Sequence, residues 1–147
     1  MIFVNLIEVI ITFILGLISG TIVSYIQSRN SLKNYLTVSR IEFYDRLSVA
    51  TENYYSDLCF LFHDKANEEL KTNIAKSSAE YERLLKSPFV FEEPELRTIA
   101  EKLKTTFTVA NTNAILFSKP IDTELNKVSI EKEKLHKFLG KLIKKHV

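Results

Sequence analysis

The sequence has few of the residues that break helices. Its 147 residues include three glycines and three prolines, and no glycine stands between Gly20 and Gly140. Strands and tight turns are bounded by such residues, so their scarcity argues against a β-rich fold. Apolar residues recur instead at spacings of three and four, and this period predicts an all-α protein.

Cysteine and histidine are also scarce. The one cysteine, Cys59, excludes an intrachain disulfide framework, and the three histidines lack the spacing of a metal site. The sequence contains no phosphate-binding glycine loop, no HExxH motif and no GxSxG motif. We therefore expect no metal, no cofactor and no enzymatic activity.

Charge is distributed unevenly along the chain, although the formal net charge is only +2. Residues 1–28 contain one charged side chain, Glu8. Residues 52–101 carry 11 acidic and 6 basic side chains, whereas residues 102–147 carry 10 basic and 4 acidic ones. This asymmetry indicates that the C-terminal part faces an anionic partner.

The N-terminal segment predicts a single transmembrane helix. The run Val9–Ile26, VIITFILGLISGTIVSYI, contains no charge, and its 18 residues would rise about 27 Å as a helix, close to the thickness of a bilayer core. A buried helix of a globular core is the alternative interpretation. A cleaved signal peptide is disfavoured, because no basic segment precedes the run and no small-residue cleavage site follows it.

Basic side chains follow the apolar run, whereas the amino terminus is the one positively charged group before it. Arg29, Lys33 and Arg40 come after Ile26, so the positive-inside rule places the C-terminal part in the cytoplasm and the N-terminus outside. The expected organisation is a transmembrane segment at residues 1–28, in the inner (plasma) membrane, followed by a cytosolic helical domain at residues 29–147.

Small and polar residues line one side of the predicted span. At 100° per residue, Glu8, Thr12, Gly16 and Gly20 fall on one face, and most of the remaining surface is Ile, Leu, Val and Phe. Helices in lipid associate through close packing over small residues and through interhelical hydrogen bonds, so these residues predict a homo-oligomer that meets on this face. The alternatives are chance placement of the glycines and a position of Glu8 at the headgroup boundary.

About four helices are predicted after the span, in an up-down-up-down bundle. They cover residues 31–62, part of 64–86, a stretch that starts at Pro94, and a stretch with Asp122 as its N-cap. The segment SPFVFEEP at 87–94 interrupts the pattern, because each proline disfavours a helical conformation at the residue before it. Its aromatic side chains are expected to pack against the bundle.

Two of these helices carry a second distinctive face. The first has an apolar strip besides its core face, which is typical of a central helix or of a subunit contact. The third has short polar groups opposite its apolar seam, which are either solvated or part of a ligand interface. The residues are Tyr35, Val38, Val49 and Phe60 on the first helix, and Thr105, Thr106, Thr108, Asn111, Thr112 and Asn113 on the third.

A line of lysines runs beside the apolar face of the fourth helix. Six lysines lie within about 100° of one another, and only Glu131 lies close to the line. A solvated face is the plain interpretation, and anionic lipid headgroups or an anionic nucleotide ligand are the alternatives. The predicted ligand-binding residues are Lys134, Lys137, Lys141 and Lys144, and the line also includes Lys127 and Lys145.

The layout of an uncharged N-terminal span and a compact basic domain of about 120 residues resembles small membrane effectors of bacterial antiphage defence. These include the ancillary effectors of type III CRISPR systems, whose cytosolic domains bind cyclic oligoadenylates. The resemblance implies an oligomeric effector that senses an anionic signal and opens or perturbs the membrane. No motif matches residue by residue, so no binding residue is carried over. No DNA or RNA duplex is expected as a partner.

A second function fits the same sequence. A non-enzymatic anchor or scaffold would hold a helical bundle at the inner membrane and dock a protein partner, while its lysines contact lipid. An enclosed basic pocket would favour the effector, and lysines spread along one open side would favour the anchor.

Overall fold

The structure is a computed structural model that describes residues 2–63, 67–116 and 122–146, with side chains for residues 17–63, 67–114 and 122–146. Within these ranges all regular secondary structure is α-helical, which confirms the all-α class. The helices are α1 (Ile2–His63), α2 (Glu68–Leu85), α3 (Pro88–Phe91), α4 (Pro94–Leu116) and α5 (Asp122–His146).

The chain divides into two compact units, residues 1–39 and 40–147, and the boundary falls inside α1. In the first unit, the side chains from Leu17 to Leu36 are all exposed. Where side chains are described, no helix offers a stretch both long enough and apolar enough to cross a membrane. The predicted span Val9–Ile26 begins before Leu17 and therefore lies partly outside the described side chains.

The second unit is a helical bundle made of residues 40–63 of α1 together with α2, α4 and α5. Each of these helices buries one apolar stripe, as the spacing of three and four predicts. The fully buried large side chains are Tyr44, Leu47, Leu58, Leu61, Tyr81, Val90, Leu96, Leu103, Phe107, Val128, Leu135 and Leu139.

Three aromatic rings join α1, α2 and α4 at the centre of this core. Phe107 stacks on Tyr54 with 4.1 Å between ring centroids, and it meets the ring of Tyr81 edge-on at 5.8 Å. The hydroxyl of Tyr81 donates a hydrogen bond of 3.0 Å to the carbonyl of Ala100. Burial raises the pKa of Tyr81, so this hydroxyl remains a neutral donor.

Local side-chain chemistry sets the helix starts. The Oδ1 atom of Asn67 accepts hydrogen bonds from the backbone N–H groups of Glu69 and Leu70, at 3.0 and 3.3 Å, and so caps α2. Helix α4 begins at Pro94, as predicted, because proline has no N–H to leave unsatisfied in the first turn. Helix α5 begins at Asp122, which was predicted as its N-cap and lies instead in the first turn, where Asp122 and Glu124 place negative charge near the helix N-terminus.

The segment predicted to interrupt the helices contains one helical turn of its own, α3. Ser87 caps it by accepting a hydrogen bond from the N–H of Phe89, and Pro88 occupies its first position. Val90 is buried and Phe89 packs against the core, as expected. Phe91 is 54% exposed instead, because a helical turn directs successive side chains about 100° apart.

Candidate functional site

Helix α5 runs antiparallel to α1 within the bundle. The Nζ atom of Lys132 lies 2.9 Å from Oε1 of Glu52. The ring of His146, later on α5, lies 6.3 Å from the ring of Tyr44, which is earlier on α1. The C-terminal turns of α5, where the predicted lysine line is densest, therefore lie at the end of the bundle that begins with Arg40. An up-down-up-down bundle predicts this arrangement.

Two lysines of the line form exposed ion pairs. Lys127 lies 3.1 Å from Glu124, one turn earlier on α5, and Lys145 lies 3.7 Å from Glu93, which directly precedes α4. Exposed pairs of this kind contribute about 0–1 kcal/mol and exchange easily with other partners. These two lysines are thus weakly held.

Lys134 belongs to an interhelical cluster centred on Glu131. The carboxylate of Glu131 is largely buried, and it lies 2.8 Å from the Nζ atom of Lys134 and 3.0 Å from that of Lys102 on α4. Hydrogen bonds from Lys134 and then Lys102 hold the pKa of Glu131 below its usual range, against the opposing effect of burial. Lys134, a predicted ligand-binding residue, is therefore already paired with a carboxylate of its own helix, while Lys102 makes the contact between α4 and α5.

The other three predicted residues, Lys137, Lys141 and Lys144, differ from Lys134. All three are exposed, and none has a carboxylate within 4.0 Å among the described residues. From Lys137 to Lys144 the helix rises about 10 Å, so three unpaired ammonium groups lie within two turns. They form an open basic strip that attracts phosphate-bearing or carboxylate-bearing partners as a set of point charges.

The predicted membrane contact face is described at one position only. Gly20 is exposed, and a Cβ atom added to it would meet no other atom of the chain within 4 Å. Glu8, Thr12 and Gly16 precede Leu17, the first residue whose side chain is described. Within one chain, Gly20 therefore has no packing role that requires glycine.

On the polar face of α4, several hydroxyl groups donate hydrogen bonds to backbone carbonyls of the same helix. The hydroxyls of Thr105, Thr106 and Thr108 donate to the carbonyls one turn earlier, at 3.1, 2.9 and 3.0 Å. These donors are therefore used locally, although each oxygen can still accept a hydrogen bond. The exposed Thr105 and Thr108 fit a solvated face, whereas Oδ1 of Asn111, on the same predicted face, is buried and has no hydrogen-bond partner among the described residues.

Sequence reasoning missed a polar contact between α1 and α5. The ammonium group of Lys132 forms an ion pair with Glu52 and lies 4.2 Å from the ring centroid of Tyr55. Nδ1 of His136 lies 3.6 Å from Oε1 of the same Glu52. Burial raises the pKa of Tyr55, and a hydrogen bond with Cys59 adds to this effect. The sequence contains a signal for this contact. Polar residues recur at a spacing of three and then four on each helix, at 52, 55 and 59 on α1 and at 129, 132 and 136 on α5, which places each set on one helix face.

An open polar groove of about 370 Å³ lies between α1 and α2. Its lining brings together two serines, two asparagines and one residue of each charge, Asp57 and Lys76. Because it contains a single lysine, this groove is not the enclosed basic pocket that a nucleotide sensor would need within one chain. Among the described residues, no cluster of three or more His, Cys, Asp or Glu side chains is placed to hold a metal ion.

Comparison with known proteins supplies no relative for this chain: no family model matches it, and neither the curated proteins nor the solved structures include a significant match.

Proposed function

We propose that the chain is a membrane-anchored, non-enzymatic helical protein whose bundle binds a phosphate-bearing anionic partner through Lys137, Lys141 and Lys144. The observation that carries the proposal is the unpaired basic strip on α5, in a bundle where most other described lysines have acidic partners. A strip without internal partners keeps its charge available for an external ligand.

The membrane part of the proposal rests on the sequence. The run Val9–Ile26 would form a single span with the N-terminus outside and residues 27–147 in the cytoplasm. Copies would associate through the face of Glu8, Thr12, Gly16 and Gly20.

In the effector form of the proposal, the anionic partner is a signal such as a cyclic oligonucleotide. Its binding would change how the bundles associate, and the associated spans would open or perturb the membrane. The small-residue face of the span and the resemblance in layout to antiphage membrane effectors support this form. A small nucleotide needs lysines that converge on it, so a second copy would have to complete the site.

A specific observation also favours the anchor or scaffold form. Lys137, Lys141 and Lys144 lie along one open helix face, and this placement suits a flat array of anionic lipid headgroups. Each lysine close to such a surface contributes about 1 kcal/mol. The protein would then hold its bundle near the membrane and dock a protein partner elsewhere on it.

Binding by the full chain in uncharged detergent micelles tests the proposal. The chain is titrated at low salt with cyclic oligoadenylates and, in a separate arm, with the short-chain anionic lipid dihexanoyl phosphatidylglycerol. The variant Lys137→Glu with Lys141→Glu is expected to lose affinity at least about tenfold, and wild-type binding to weaken as salt is raised.

A matched charge reversal on another helix provides the control. Lys76→Glu with Lys86→Glu changes two exposed lysines of the α2 region by the same total charge. It should leave binding within about twofold, because interactions of separated surface charges are screened. Selective binding of one nucleotide supports the effector, and binding of lipid alone supports the anchor. Equal losses in both variants, or no binding in either arm, would contradict the proposal.

A further inference from the structure

Helix α1 has an outward face in the bundle that its neighbours leave uncovered. Val49 and Phe60, from the second apolar strip predicted on this helix, are 51% and 58% exposed. Glu42 and Asp45 are exposed on the same face, and no described residue forms an ion pair with either of them. We call the exposed set Glu42, Asp45, Val49, Ser56 and Phe60 the α1 outer face.

Helix α5 has a corresponding uncovered face. It contains the unpaired strip of Lys137, Lys141 and Lys144, and about two turns before Lys137 it contains Ile130, which is 46% exposed. At 100° per residue these four positions fall within about 60°. We call this set the α5 outer face. The α1 outer face is thus acidic and apolar, and the α5 outer face is basic and apolar with one exposed carboxylate, Glu133, at its edge.

Contacts within the bundle fix the relative heights of the two faces. His146 lies against Tyr44, so Lys141 and Lys144 are level with Asp45 and its neighbours on α1. Lys132 pairs with Glu52, so Ile130, two residues earlier on the antiparallel helix α5, is level with Tyr54, between the heights of Val49 and Phe60. The charged halves of both faces therefore lie at one end of the bundle, and the apolar halves lie further along it.

We propose that the α1 outer face of one copy docks on the α5 outer face of a second copy of this chain, with both bundles pointing in the same direction. In that arrangement Glu42 and Asp45 meet Lys141 and Lys144, while Ile130 packs between Val49 and Phe60. An opposite orientation would place the lysines against Phe60. Charge complementarity at matching heights therefore selects both the occupant and its direction.

This association closes by rotation about an axis parallel to the bundle. A two-fold axis lets each α1 outer face meet the α5 outer face of the other copy, and a higher rotation builds a ring from the same contact. The inference goes beyond the proposed function and does not rest on it, but the two share Lys141 and Lys144, so an anionic ligand would compete with this contact between copies.

Crosslinking between separately tagged full-length chains tests the geometry. In a Cys59→Ser background, chains with Ser56→Cys are mixed with chains carrying Ile130→Cys and treated with a short bismaleimide. We expect a strong mixed dimer from this pair. Ser56→Cys mixed with Val109→Cys, an exposed position on α4, is the control and should give only background. Equal yields from the two mixtures would overturn the docking geometry.

Charge reversal tests which copies associate. One chain carries Glu42→Lys and Asp45→Lys, so both of its outer faces become basic, and the other carries Lys141→Glu and Lys144→Glu, so both become acidic. Two copies of the same variant should repel each other, whereas the two different variants should associate. We expect co-purification to recover at least about tenfold more pairs of different variants than pairs of identical ones. Mixed and like pairs in equal amounts would overturn the proposal.

The two experiments separate this inference from the proposed function. The Glu42→Lys, Asp45→Lys chain retains Lys137, Lys141 and Lys144, and all substituted residues are exposed, so its binding of anionic ligand can be measured independently. Ligand binding without selective pairing would reject the interface alone. Selective pairing without ligand binding would reject the proposed function alone.

Discussion

Glu131 and Lys137 lie six residues apart on α5 and have different roles. Glu131 is only 9% exposed, and it pairs with Lys134 on its own helix and with Lys102 across the α4–α5 contact. Lys137 is exposed and has no acidic partner among the described residues. The direction in which each side chain leaves the helix, rather than its charge alone, decides whether it stabilises the bundle or remains available for a ligand.

Replacing the buried carboxylate should destabilise the bundle. We expect Glu131→Gln to lower the free energy of unfolding by about 1–2 kcal/mol, because two charged hydrogen bonds are lost while both lysines can return to water. Urea unfolding of the full chain in micelles, followed by circular dichroism, measures the change. Glu124→Gln, which removes the exposed pair with Lys127, should cost less than about 0.5 kcal/mol. Equal costs would contradict the role of Glu131.

The same residue predicts a pH dependence. The pKa of Glu131 is lowered in the folded protein, so its stabilising contribution is complete above the unfolded pKa of about 4.3 and is lost as pH falls through the lower folded value. The difference in Tm between wild type and Glu131→Gln should therefore be largest near neutral pH and shrink in acid. A difference that is constant with pH would show that the carboxylate charge is not responsible.

At the scale of elements, α4 links the other helices through one aromatic side chain. Phe107 contacts rings from both α1 and α2 and is completely buried. We expect Phe107→Ala to reduce the free energy of unfolding by about 3–5 kcal/mol, because a large cavity would open at the helix junction. Val109→Ala on the exposed side of α4 should cost less than about 1 kcal/mol in the same urea titration. Similar costs would place the centre of the core elsewhere.

The helices of the bundle could be predicted because each element has a local signal. Pro94 marks the start of α4, and the apolar spacing on α4 and α5 identifies their buried stripes. The single turn α3 was missed because it depends on the Ser87 cap, which acts within one turn and has no periodicity. The pairing of Glu131 with Lys102 was also missed, because the two residues lie 29 positions apart and come together only when α4 packs on α5.

At the scale of the whole molecule, association of the spans is expected to depend on Gly20 and Gly16. In Gly16→Ile with Gly20→Ile, the Cβ atom added at Gly20 meets no other atom within 4 Å in one chain, so its effect on association is expected to come from contacts between copies. We expect this variant to form fewer crosslinked oligomers in membranes. Replacing Leu15 and Ile22 with other large apolar residues is the control and should have little effect. Equal effects from both pairs of substitutions would contradict association of the spans through the glycine face.

The proposed function depends first on the placement of the chain in the membrane. Protease protection of the full-length chain in bacterial spheroplasts tests it most directly, because the bundle offers many exposed lysines and arginines to trypsin. The chain is expected to stay with the membrane after alkaline washing, and residues 40–147 are expected to resist trypsin until the membrane is permeabilised. Recovery of the chain in the soluble fraction, or digestion of the bundle in intact spheroplasts, would contradict this placement.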